Sequence, residues 1–154
     1  MSNEELVRRI VLSTNKLDGV YYLFAKHYGL NENTLAFLYA LNDSKTHSQK
    51  EISDEWFIPR TTINSIVKNM LANGYINLVS EAHTKEKSIL ITAKGSTYIN
   101  NLMTKIAVIE EKVIADTLAK FSPKFIEALE FFSHRLQTEF KQSISQENNQ
   151  NHDK

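Results

Sequence analysis

The sequence predicts a mainly α-helical fold with one small β-hairpin, and three observations carry that prediction. Apolar residues recur at spacings of three and four through most of the 154 positions. Only 4 Gly and 2 Pro interrupt them, and 42% of the residues are hydrophobic, a composition that suits a packed helical core. Two runs rich in β-branched and aromatic residues, Tyr75 to Val79 and Ser88 to Thr92, flank a polar tip and break the helical period once. The order helix, turn, helix, hairpin is that of a winged helix-turn-helix, here with N- and C-terminal dimerisation helices around it.

Ser2 to Glu5 fits a capping box, in which a serine hydroxyl and a glutamate three residues on satisfy each other's backbone donors. Leu6, Ile10, Leu17, Tyr21, Phe24 and Tyr28 then line one face of a long helix over 3–28, which Gly29 closes. Asn31 caps a second helix to Asn42 that buries Leu35, Leu38, Tyr39 and Leu41, and residues 43–47 form a loop. Ser48-Gln49-Lys50-Glu51 is another capping box and opens a short helix to Trp56. Trp56-Phe57-Ile58 supplies apolar anchors, and Pro59 starts the next helix, where its missing N–H costs nothing. Ile63, Ile66, Val67, Met70 and Leu71 form the buried face of that helix over 59–72, and Gly74 ends it.

Beyond the hairpin, Thr92 caps a long helix over 93–119 whose stripe is Ile99, Leu102, Met103, Ile106, Ile109, Val113 and Ile114. Ser122 and Pro123 open a last helix to Ile144 carrying Phe125, Ile126, Leu129, Phe132, Leu136 and Phe140. The terminal helices hold more apolar surface than one small lobe covers, and a symmetric homodimer is the commonest solution. The organisation expected is one unit over 1–144, with a winged-helix lobe at 30–95 and dimerisation helices at 1–29 and 96–144. Residues 145–154, polar and rich in Gln and Asn, are expected to be disordered.

The second helix of the motif carries the functional argument. Arg60 stands at its N-terminal end, and Thr61, Thr62, Asn64, Ser65, Lys68 and Asn69 supply its polar side chains, with no acid among them. Such a surface approaches phosphates and exchanges hydrogen bonds with base edges in a major groove, so double-stranded DNA is the partner it suits. Ser48, Gln49 and Lys50, at the start of the preceding helix, are placed to bind phosphate through backbone N–H groups. At the hairpin tip, His83, Lys85 and Lys87 form a partly basic wing beside Glu81 and Glu86. Charge supports this only locally. The formal net charge is zero, yet residues 45–95 hold seven Lys/Arg against five Asp/Glu. The competing reading of the same helices is a winged-helix protein-interaction module without DNA binding.

Several short motifs in this order, namely the helix 48–56, Pro59 to Lys68, Gly74-Tyr75-Ile76 and Ile91-Thr92-Ala93-Lys94-Gly95, together resemble the MarR family of bacterial transcription regulators. Gly29-Leu30 followed by Phe37-Leu38-Tyr39-Ala40-Leu41 is similar to that family's second helix. One departure concerns the wing, where members usually carry Asp-x-Arg and this chain has His83 and Lys85. Lysine lacks arginine's planar fork, so the minor-groove contact is not carried over. The resemblance implies a homodimeric repressor that sets two recognition helices in successive major grooves of a pseudo-palindromic operator. It also implies a small, often aromatic effector near the junction of the first two helices with the long helix after the wing, where Tyr21, Tyr22, His27, Tyr28 and Tyr39 are the candidate lining; simple core packing is the alternative for these rings.

Other classes find no support in the sequence. Zero cysteine removes disulfides and thiolate metal sites and suits a reducing cytoplasm. No apolar run reaches the roughly 20 residues that span a bilayer, and no charged-then-apolar leader appears, so a cytoplasmic location with no membrane partner is expected. His27, His47, His83, His134 and His152 are scattered without metal-ligand spacing. No nucleophile elbow, phosphate loop or paired-carboxylate pattern occurs, so neither catalysis nor a cofactor is expected.

Overall fold

The computed structural model of the protein describes residues 1–80 and 85–152. Six helices and three short strands follow in the order α1 (Asn3–His27), α2 (Glu32–Ala40), β1 (His47–Ser48), α3 (Gln49–Trp56), α4 (Arg60–Ala72), β2 (Ile76–Ser80), β3 (Lys87–Ile91), α5 (Ala93–Leu118) and α6 (Lys124–His152). The chain divides into two compact units, Met1–Lys105 and the remainder from Ile106, with the boundary inside α5.

The first unit is built on a core of Phe37 and Leu38 from α2, Leu41, Ile52 from α3, Ile63 and Val67 from α4, Ile76 from β2 and Ile99 from α5, all fully buried. Leu38, Leu41, Ile63, Val67 and Ile99 are positions that the helical spacing predicts; Phe37 and Ile52 join them, whereas Tyr39 and Leu71, expected on the buried faces, are 38% and 36% exposed. Capping also follows the sequence. The Glu5 and Thr34 N–H groups donate to Ser2 Oγ and Asn31 Oδ1 at 3.2 and 2.8 Å. At α4, Pro59 occupies the N-cap with ψ 138°, and Arg60 rather than Pro59 is the first helical residue. The helix ends in a Schellman motif: Gly74 takes φ +71°, its N–H donates to Leu71 O at 2.9 Å, and the Tyr75 N–H donates to Met70 O at 2.9 Å.

Two features depart from the sequence reading. The expected loop over 43–47 ends in a strand, because His47 and Ser48 pair antiparallel with Ile89 and Ser88, giving a three-stranded sheet in the order β1-β3-β2. A two-residue strand has no period to detect. Of the expected anchors Trp56, Phe57 and Ile58, only Ile58 enters the core; Phe57 lies in the left-handed region at φ 53° and is 71% exposed. Its conformation is held by a buried bond from the Ser53 hydroxyl to Ile58 O at 2.7 Å, which closes the turn between α3 and α4. Helix α6 runs from Lys124 through Ser145 to His152. Gln and Glu at these positions are good helix formers, and a helix already nucleated is extended at one hydrogen bond per residue.

Gly95 is the tightest point of the first unit. A Cβ there would lie 1.9 Å from Tyr75 O and 2.7 Å from its carbonyl carbon, both backbone atoms that cannot yield. Thr92 holds the same junction. Its hydroxyl donates to Gly74 O at 2.7 Å and accepts the Gly95 N–H at 3.0 Å, so it caps α5 while fastening it to the corner between α4 and β2. Tyr98 stacks on Tyr75 with ring centroids 4.4 Å apart, and burial pushes its hydroxyl pKa up. Gly95→Ala is expected to destabilise the protein by about 3 kcal/mol or to prevent folding, as read by urea unfolding.

Outside that core, α1 exposes Leu6, Val11, Leu12, Leu17, Val20 and Leu23. In the second unit, Val108, Ile109 and Val113 of α5 and Phe131, Phe140 and Ile144 of α6 are each more than half exposed.

Candidate nucleic-acid interface

Elements from three parts of the first unit meet at one cleft of about 340 Å³, lined by Ser48, Gln49 and Lys50 at the start of α3, Arg60, Ile63 and Asn64 of α4, and Lys85, Glu86 and Lys87 at the approach to β3. The capping box fixes its floor. The Ser48 N–H donates to Glu51 Oε2 at 2.7 Å and the Glu51 N–H to Ser48 Oγ at 3.2 Å. Hydrogen bonding to the carboxyl from the Ser48 backbone N–H, and then from the Ser48 side chain, holds Glu51 below its usual pKa. One turn earlier, the Asp43 carboxylate is held low by its bond to His47 Nε2 at 2.8 Å and by the Lys45 N–H at 2.9 Å, which braces the chain entering β1.

The sequence-predicted residues divide by this geometry. Ser48, Gln49, Lys50, Arg60, Asn64, Lys85 and Lys87 come together in the cleft. Ser48 is buried and committed to capping, so its role is to set the helix start rather than to present a hydroxyl. Gln49 Oε1 is buried without a hydrogen-bond partner and can accept one donor. Thr61, Ser65 and Lys68 are exposed along α4, whereas Thr62 is half-buried. The Ser65 hydroxyl donates to Thr61 O at 3.0 Å. Asn69, also exposed, is engaged at the far end of α4, where Asn73 Nδ2 donates to its backbone and side-chain oxygens at 2.8 and 3.3 Å. His83 lies outside the described residues.

Two carboxylates that the sequence reading did not place here reach the cleft cations. Glu86 Oε1 is 3.7 Å from Lys50 Nζ, and Asp54 Oδ1 is 3.8 Å from the Arg60 guanidinium. Neither pair has a sequence signature, since the partners are 36 and 6 residues apart on different elements. Among the described residues, no group of three or more His, Cys, Asp or Glu could hold a metal ion, and no helix is long and apolar enough to cross a membrane.

The candidate effector cluster is only partly assembled. Tyr21 and Tyr39 meet edge to face at 6.5 Å, Trp56 lies 5.8 Å beyond Tyr39, and all three line a second cavity of about 560 Å³ with Asp18, Glu32, Asn33, Leu35, Ala36 and Ile58. Tyr22, His27 and Tyr28 are not part of it. Tyr28 packs against Phe24 and His27, with the Lys105 ammonium 4.7 Å from its ring. Trp56 was not anticipated in this role, because its position at a helix end looks like an ordinary anchor.

Because the folded Glu51 and Asp43 carboxyls titrate below their unfolded values of 4.5 and 3.8, their contribution is complete above those values and is lost as pH falls through the folded ones. Glu51→Gln is therefore expected to flatten the acid limb of the stability curve, and Ser48→Ala to cost about 1 kcal/mol at neutral pH. Thermal unfolding followed from neutral pH down to about pH 2, below both unfolded values, checks both.

Comparison with known proteins agrees with this architecture. Residues 28–85 match the model of the MarR family. Sequence comparison with curated proteins finds no match. Among solved structures, the chain is similar to NMB1585, a MarR family regulator from Neisseria meningitidis, with 22% identity and a TM-score of 0.75 over 93% of this chain and 99% of that one. It is similar to the transcriptional regulator BldR from Sulfolobus solfataricus, with 15% identity and a TM-score of 0.66 over 88% and 99%. It is also similar to BpsR from Bordetella bronchiseptica, whose DNA binding is regulated by 6-hydroxynicotinic acid, with 13% identity and a TM-score of 0.58 over 88% and 93%. Residues 28–85 thus match the MarR family model, and the chain as a whole has the winged-helix fold seen in MarR family regulators.

Proposed function

We propose that the protein is a homodimeric transcriptional regulator that binds a pseudo-palindromic operator, acts as a repressor and is released by a small aromatic effector. The observation that carries this reading is the acid-free exposed face of α4, bearing Arg60, Thr61, Asn64, Ser65 and Lys68, set beside a cleft that gathers Lys50, Lys85 and Lys87. In the proposed complex, α4 lies in the major groove, Asn64 reads a base edge, Lys68 and the cleft cations hold phosphates, and the wing runs along the backbone. Homodimer formation is supported by the apolar rows left exposed on α1 and on α5 and α6, which water would otherwise hydrate. Two recognition helices related by a two-fold axis read half-sites about one helical turn, roughly 10 bp, apart.

The effector reading is supported by the cavity lined with Tyr21, Tyr39 and Trp56, whose rings suit a flat molecule. The lining carboxylates Asp18 and Glu32 favour a neutral or cationic ring over an anionic one. Regulated DNA binding in BpsR is a precedent in a protein of similar fold.

Selection of duplexes from a random pool, at low and near-physiological salt, is expected to enrich an inverted repeat, with affinity falling steeply as salt rises. Lys68→Ala is expected to weaken all duplexes alike, and Asn64→Ala to relax preference at one position by about 1–3 kcal/mol. Failure to enrich any duplex would transfer the reading to a protein-interaction module. For the effector, a thermal-shift screen of neutral and cationic aromatic compounds should yield stabilisers whose effect is lost in Tyr39→Ala; a stabiliser equally effective on that variant would place the site elsewhere.

A further inference from the structure

We infer that Glu86 and Asp54 are built-in competitors of the DNA phosphates: each carboxylate neutralises one cleft cation and so lowers affinity for duplexes of every sequence. This rests on the DNA-binding reading above and concerns how strongly the same surface binds. The cleft contains four cations, Lys50, Arg60, Lys85 and Lys87. Two of them already face a carboxylate at ion-pair distance, Lys50 with Glu86 at 3.7 Å and Arg60 with Asp54 at 3.8 Å. Glu86 itself lines the cleft, while Asp54 reaches Arg60 from α3.

Among the described residues, these two carboxylates are the ones at ion-pair distance from a cleft cation. Helix α4 itself carries no acid, and among the described residues the carboxylates approach only Arg60 at its first position and Lys50 on α3, not Thr61, Asn64 or Lys68. All four side chains are roughly half exposed or more, and exposed ion pairs add little to stability, so the fold does not depend on these contacts. Their effect appears when a phosphate arrives. A phosphate that takes Lys50 or Arg60 leaves the carboxylate beside it, and that carboxylate repels the phosphate and takes up a cation from solution. The uptake cancels the counterion release that otherwise drives binding. Phosphate contacts carry no sequence information, so subtracting from them lowers non-specific binding while the contacts of α4 to bases are untouched. A zero-net-charge chain with a four-cation cleft thereby avoids settling on arbitrary DNA.

The experiment compares the full chain with Glu86→Gln, Asp54→Asn, Lys50→Gln and Lys50→Gln/Glu86→Gln for binding to a random-sequence duplex and to a selected operator across a salt series. Glu86→Gln and Asp54→Asn are each expected to tighten binding to both duplexes about 3- to 10-fold near physiological salt, and to steepen the salt dependence by about 0.9 per released cation. Lys50→Gln should cost more affinity in the Glu86→Gln background than in the wild type, because only there is the ammonium available to phosphate. Unchanged or weaker binding by Glu86→Gln, or equal losses on Lys50→Gln in the two backgrounds, overturns the competitor role of Glu86. Weaker binding by Asp54→Asn shows that Asp54 positions Arg60 and overturns its half of the inference. If neither the wild type nor any variant binds DNA, it is the DNA-binding reading itself that fails.

Discussion

The junction at Thr92 and Gly95 is the constraint on which the arrangement of the first unit rests. One hydroxyl caps α5 and grips the carbonyl that follows α4, and a glycine without a Cβ lets the α5 backbone come against the Tyr75 carbonyl. The same few residues therefore end α4, start β2 and launch α5. The Lys94 ammonium reinforces the corner by donating to Asn73 O at 2.7 Å and lying 5.0 Å from the Tyr75 ring. A small displacement at this point moves α4 and the sheet together, since both are tied to it by backbone contacts rather than by pliable side chains.

The opposite side of α4 is fixed by a second local device. The capping box at Ser48 starts α3, the Ser53 hydroxyl closes the turn into α4, and β1 draws the start of α3 alongside β3. Helix α4 is consequently held at both ends, and its exposed face needs no side chain of its own to keep it in place. That leaves Thr61, Asn64 and Lys68 exposed on its outer face. Side-chain groups already held by a rigid backbone lose less entropy on binding than groups on a mobile loop.

Electrostatics here is a matter of position rather than of total charge. The chain is neutral overall, yet lysines from the α3 start and the β3 approach converge with Arg60 on one cleft. Carboxylates join them from outside α4. Surface pairs of this kind contribute little to folding, so their placement bears on what the cleft attracts.

The sequence by itself determined the helices, their caps and the core faces, because these depend on interactions within a few residues. The serine N-cap at Ser2, the capping box at Ser48, the glycine stop at Gly74, and the three-and-four spacing of Ile63, Ile66, Val67 and Met70 all act locally and were readable along the chain. The polar face of α4 followed from the same periodicity. Tertiary structure decided the rest, where residues distant in sequence meet. It paired His47 with Ile89, turned Phe57 outward through a left-handed φ, set Glu86 against Lys50, and joined Trp56 to Tyr21 and Tyr39 while leaving Tyr22, His27 and Tyr28 apart. No periodicity encodes those contacts, since each depends on how packed elements approach one another in space.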